Sequence, residues 1–473
     1  MSRTVFTLVL AAFGLMAQAP APGPLVRLYP VAFDANGQPV TDLTADDFKI
    51  LDQTKAQTIL AFHKPRNEPA APHDVLEFSN RTSGVAPHAT VILFDMINLS
   101  DADRQENWKA LDKALPQLES GENTYFYVLN LEGALVPIHA MGPSAAGDKT
   151  WPQGVAGAFD KVMKASSHIR QVQIGAEEQV KRTFKALEDL ANKLAAFPGR
   201  RDILWVANGL TTVPDPMLSH CNGDWVECSL YVPHLGVTLT KDGVAVDPYV
   251  LVGNLNPDVN YNMDQMALLT GGHFYSRQDV RAVVNQVTQG SLSGYSISYD
   301  PGPDNWNSKW HRIHVACERK GVKLQLRERY YALPDSRPAL ERTKAVLMEA
   351  FQSPKDLAEI GLRTKISPAA DGKTGIRLEI RIDPSDLRLS EQGGKYSDGL
   401  YCLISDRSAT APLGEPKVLD LKPELTAEQY KTAMKDGLLL TQDHPAGDAV
   451  REVRVIILDQ STNAVGSVTF PVK

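Results

Sequence analysis

The hydrophobic period changes twice along this chain, and those changes limit the architectures open to it. Between residues 89 and 290, runs of consecutive apolar residues alternate with amphipathic stretches. Thr90–Phe94, Tyr125–Leu129 and Ile203–Ala207 are such runs, as expected of strands buried on both faces. Trp108, Leu111, Leu115 and Leu118 recur at helical spacing. So do Val180, Phe184, Leu187, Leu194 and Phe197, and then Val280, Val283, Val284 and Val287. Ser100 and Asp279 stand where helix N-caps belong, and Pro198-Gly199 and Gly271-Gly272 where helices stop. Strands alternating with helices predict a parallel sheet covered on both faces.

On either side of this block the period is two. "VRLYPVAFDANGQPV" carries a tight-turn signal at Asn36-Gly37, and "LTADDFKILD" and "AQTILAFHK" follow. After residue 293, "GYSISY", "WHRIHVAC" and "VKLQLRERYY" read as antiparallel strands. We expect segments 25–62 and 294–332 to pair, so that 89–290 is an insertion in a β-sandwich. Residues 64–88 read as a linker, 211–262 as a long irregular insertion with a helix starting at Asp264, and 334–344 as a second linker. The strand-rich remainder, 345–473, reads as a second β-sandwich with one helix near 426–435. The fold class is thus α/β plus all-β.

With 43% apolar and 22% charged residues, the composition is that of a globular protein. The net charge of −7 argues against nucleic acid or an anionic membrane as the main partner. Arg3 is the only charge in the first twenty-six residues and precedes the apolar run Val5–Met16. Residues 1–19 therefore read as an export signal, cut near Ala17 or Ala19, and too short to span a bilayer comfortably. That places the chain outside the cytoplasm, secreted or periplasmic, with no membrane span. Cys221 and Cys228, close together in the polar stretch "CNGDWVEC", suit a small-loop disulfide. Cys317 and Cys402 lie in strand-like text and either pair or stay apart.

"VILFDMINLS" places Asp95 at the carboxyl end of a buried strand, where open α/β sheets hold ligands. Other chemical signals are weaker. Asp258, Asn260, Asn262 and Asp264 alternate as in a calcium loop, but Met263 and Leu269 occupy its glycine and glutamate positions. A polar loop capping the helix at Asp264 explains them as well. His311 and His314 lie on opposite faces of one strand and cannot share a metal; surface or edge positions are expected. Ser293 in "GSLSG" is displaced by one from a nucleophile elbow and sits between a helix and a strand, the reverse context. "GRRD" at 199–202 reads as a solvated turn or a pairing with nearby carboxylates. No phosphate loop, H-E-x-x-H or C-x-x-C occurs, and no nucleophile is placed beside a base.

Several stretches together resemble secreted bacterial proteins related to the von Willebrand factor A domain, of the acidobacterial type. They are "DANGQPVTDLTADDFKILD", "ILFDMINLS", "LAAFPGRRDILWVANGL", "MALLTGGHFYSRQDVRAVVNQVTQGSLSGYSISYDP" and "RKGVKLQLRERYYAL". The matches span most of 25–333. The resemblance implies a Rossmann-like A domain used mainly for protein recognition. It also implies a divalent cation held by a D-x-S-x-S run, a threonine and a second aspartate. Asp95 falls on the first aspartate, but Ile97 and Leu99 replace the serines and Asn208 the second aspartate. No threonine in "VPIHAMGPS" fills the remaining place. The expectation is a secreted, non-enzymatic adhesion or scaffold protein with a degenerate metal site and no cofactor. Its unidentified protein partner would be bound near Asp95, Asn98, Ser100 and Asn208. The alternatives are a Mg²⁺- or Ca²⁺-dependent adhesion domain using Asp95 and, behind it, a hydrolase.

Overall fold

The computed structural model describes residues 25–472, except 66–75, 82–88, 118–122, 142–149, 167–174, 195–196, 198–199, 211–234, 236–238, 240–242, 253–256, 335–336, 354–355, 370–374, 409–411 and 446–449. The expected export signal and the Cys221/Cys228 disulfide lie outside the described residues. No helix among the described residues is long and apolar enough to cross a membrane.

The continuous apolar runs become the middle of a six-stranded sheet. Its order is Tyr275–Ser276, Val244–Val250, Arg201–Val206, Ala89–Asp95, Thr124–Leu129, Leu135–His139. The first five are parallel, and Leu135–His139 closes one edge antiparallel to Thr124–Leu129. Every residue of Ala89–Asp95 is buried, because helices cover both faces. Val91 and Leu93 pack with Val180, Phe184 and Leu187 of the helix Ala176–Leu194. Ile92 and Phe94 pack with Leu111, Phe159 and Val283 from the helices Asp101–Ala114, Val155–Ser166 and Val280–Leu292. Burying Val91, Ile92, Leu93 and Phe94 contributes about 2 kcal/mol each, enough to offset the several kcal/mol of desolvating Asp95 beside them.

The flanks pair with each other. Val26–Leu28 and Ala61–His63 lie on either side of Ser296–Tyr299. Phe48–Asp52 pairs with Trp310–Cys317, and Val31–Phe33 with Lys323–Gln325. The alternation in Phe48–Asp52 turns Phe48, Ile50 and Asp52 inward and Lys49 and Leu51 outward. Between His63 and Ser296 the chain leaves these sheets, lends Glu77–Ser79 to the C-terminal sheet and forms the α/β block from Ala89.

Four readings need correction. The interval 211–262 is not irregular throughout: Val244–Val250 is a fully buried sheet strand, and the next helix is Pro257–Thr270. Asp264 therefore lies inside that helix and caps nothing, and Asn262 donates to the Leu210 carbonyl. The linker 64–88 contains the strand Glu77–Ser79, which joins the C-terminal sheet beside Leu362–Pro368. The linker 334–344 gives way to the helix Ala339–Gln352, whose Leu347 and Phe351 pack on Tyr401, Leu403 and Ile456.

That C-terminal unit has two four-stranded antiparallel sheets around a shared apolar core and a smaller three-stranded sheet of Ser390–Gln392, Lys395–Ser397 and Glu424–Thr426. Cys402 is buried within it and Cys317 is half-buried in the first sandwich, so the two thiols are free and separate. Burial pushes the Cys402 thiol up to about 12.

Candidate functional site

The chain runs outward from Ala89–Asp95 to Thr124–Leu129 and Leu135–His139, then crosses to Arg201–Val206 on the other side. Strand order therefore reverses between Ala89–Asp95 and Arg201–Val206, and the crevice at their carboxyl ends is where such sheets bind ligands. Asp95, Asn98, Trp205 and Asn208 gather there.

Asp95 is fully buried, and protein donors occupy its carboxylate. Oδ1 accepts the backbone N–H groups of Ile97 at 2.9 Å and Asn98 at 3.1 Å. Oδ2 accepts the Asn98 amide at 2.6 Å and the Trp205 indole N–H at 2.9 Å. The Asn98 amide also donates to Thr183 Oγ1 at 2.7 Å. Burial holds the Asp95 carboxyl above its ordinary pKa, and these donors oppose that shift. Arg104, itself buried, donates from Nε to the Met96 carbonyl at 2.8 Å and pairs with Asp101. Its charge interacts favourably with Asp95.

Ser100 serves the next helix. Its Oγ accepts the Asp103 N–H at 3.2 Å and donates to the Asp103 carboxylate at 2.6 Å, which caps Asp101–Ala114. Asn208 joins the loop through its backbone N–H, which donates to the Asn98 carbonyl at 3.2 Å. Its side-chain amide is shielded, and among the described residues neither its nitrogen nor its oxygen is hydrogen-bonded.

A hard cation needs several oxygen ligands with free lone pairs. Ile97 and Leu99 are buried apolar side chains, and the Asp95 oxygens already accept four N–H groups. The described residues of this crevice do not fit a divalent ion. Among the described residues no three His, Cys, Asp or Glu side chains come together. Thr183, Trp205 and Arg104 complete this site and were not singled out in the sequence. Thr183 and Arg104 sit on helices with no local signal, and Trp205 reads as one more apolar strand residue.

The opposite end of the sheet holds a second polar cluster. Arg200 donates from Nε to Asp202 at 2.9 Å and from its terminal nitrogens to the carbonyls of Tyr29 at 3.1 Å and Gly271 at 2.9 Å. Ser291 donates to Asp202 at 2.7 Å. Burial, with the adjacent Asp202, holds Asp247 well above the usual carboxylate range. "GRRD" is thus a buried ion pair, and the solvated turn is excluded. His311, expected at a surface or edge, is also buried: its Nδ1 lies 3.0 Å from Asp52, which accepts the Tyr330 hydroxyl at 2.7 Å.

Comparison with known proteins gives little. No family model matches the chain, and no curated protein matches it. β-Glucosidase 3B from Thermotoga neapolitana, solved in complex with glucose, aligns with 90% of this chain and 53% of that chain. The identity is 11% and the TM-score 0.17. This chain therefore spans about half of that enzyme's length, and so low a score carries no argument about fold or activity.

Proposed function

We propose that this chain is a secreted, non-enzymatic protein-binding protein. Its Rossmann-like α/β block is a von Willebrand A-type domain in which protein donors replace the cation. The closed carboxylate of Asp95 at the strand-order reversal carries this reading. Trp205, Asn98 and two backbone N–H groups take the lone pairs that a cation would need.

Recognition then rests on shape and hydrogen bonding at the loops that end Ala89–Asp95 and Arg201–Val206. Asn208 is the group we assign to the contact. A shielded amide that has no hydrogen-bond partner among the described residues costs on the order of 1–3 kcal/mol, a cost that a bound peptide group would remove. The metal-dependent alternative has no ligand set to support it.

The test is photocrosslinking in the producing cell. A photoreactive residue at position 208 should yield a covalent protein adduct that forms equally well in EDTA. The same residue at position 36, in the exposed turn, should yield none. No adduct from position 208, or one that needs Mg²⁺ or Ca²⁺, would sink the proposal.

A further inference from the structure

The first sandwich, the amino-end pole of the parallel sheet and the C-terminal unit meet around a cavity of about 100 Å³. A single water needs roughly 10–15 Å³, so there is room for a small polyatomic ligand. The lining carries five cations, Arg27, Lys64, Arg81, Arg200 and Arg201, and two carboxylates, Glu359 and Asp386; Asp202 and Asp383 pair with Arg200 and Arg81 from outside it.

These cations are not equivalent. Arg200 is spent on Asp202 and two carbonyls. Arg27 pairs with Glu359 and donates to the Thr462 carbonyl at 3.0 Å. Arg81 donates to Asp383 at 2.9 Å and to Asp386 at 2.6 Å, but its buried Nε–H has no acceptor among the described residues. Gly361 makes room for that guanidinium, since a Cβ there would lie 2.3 Å from its Nη1. Lys64 is exposed on the lining; no salt bridge holds it among the described residues, although its charge also acts on Asp47. A buried guanidinium with a spare donor and an exposed ammonium on the same lining suit an oxyanion.

We propose that this cavity binds a small oxyanion, a phosphate or carboxylate group, through Arg81 and Lys64. The site is separate from the Asp95 crevice and does not depend on the protein-binding proposal. Because its walls come from three units, the ligand would also brace their docking.

The experiment is calorimetric titration of the full chain with inorganic phosphate and, separately, with succinate, in Tris at low ionic strength. One-site saturable binding of either is expected, and the tighter of the two identifies the class. Lys64→Gln, at an exposed position, should weaken it about two- to five-fold without moving Tm. Arg81→Lys, which loses the planar fork, should weaken it about ten-fold or more. If Arg81→Lys does not fold, Lys64→Gln decides alone. Failure of both anions to saturate, or unchanged affinity in Lys64→Gln, overturns the proposal.

Discussion

Aspartates in this chain show how far surroundings set the meaning of one side chain. Asp95 stands at the carboxyl end of a buried strand, where a ligand could be held, but it serves as the acceptor that ties that strand end to Trp205. Asp398 is held differently: burial first, then the neighbouring Asp459 carboxylate, push it up to about 8 against the Gly399 N–H and Arg388. An unfolded aspartate titrates near 3.9, so between about pH 4 and 8 the folded chain keeps a proton that the unfolded chain has released. Stability from this group therefore falls as pH rises across that window. Scanning calorimetry should show a decline in Tm from pH 5 to 8 that is reduced in Asp398→Asn. Parallel curves for the two proteins would contradict it. His311 makes the same point about reading sequence. Period two places His311 and His314 on opposite faces, but only the partner Asp52, 259 residues away, decides which of them is buried.

Among the elements, the strand Val244–Val250 was the least legible. Asp247 and Pro248 interrupt its apolar run, and both usually argue against a central strand. Burial keeps the Asp247 carboxyl well above its usual range, and its Oδ1 accepts the His273 N–H at 2.7 Å. The sheet accommodates Pro248 opposite Trp205. The helix Pro257–Thr270 packs so closely that Thr270 Oγ1 accepts the Val246 N–H at 2.9 Å. Just beyond it, a Cβ on Gly272 would lie 1.9 Å from the Val246 carbonyl oxygen. Gly272→Ala must push backbone against backbone, and we expect a loss of about 2 kcal/mol or more in denaturant unfolding. An unchanged midpoint would show that this contact yields. By contrast, Thr124–Leu129 and Arg201–Val206 were legible because strands buried on both faces must be apolar throughout.

At the scale of the molecule, the C-terminal unit is stitched to the rest by a strand from the other end of the chain. Glu77–Ser79 extends its sheet, and Phe78 stacks on Phe470 with ring centroids 5.5 Å apart. Arg81 reaches Asp383 and Asp386, and Arg27 reaches Glu359. Removing residues 337–473 takes away all of these partners. Limited trypsin digestion should then cut after Arg81 much faster than in the intact chain, because pairing no longer holds that backbone. Equal cutting rates would mean that the strand is dispensable.

Local chemistry determined which segments are strands and which are helices, because burial on one face or two writes its period into the sequence. It also marked Asp95 as the residue to question and Ser100 as a cap. Tertiary structure alone decided that Asp95 is closed, since Trp205 and Thr183 come from distant strand and helix. It decided that Glu77–Ser79 belongs to a sheet almost 300 residues further on, and that five cations converge on one cavity. Those are contacts between segments far apart in the chain. No period or motif encodes them, because each depends on where other elements pack rather than on its own neighbours.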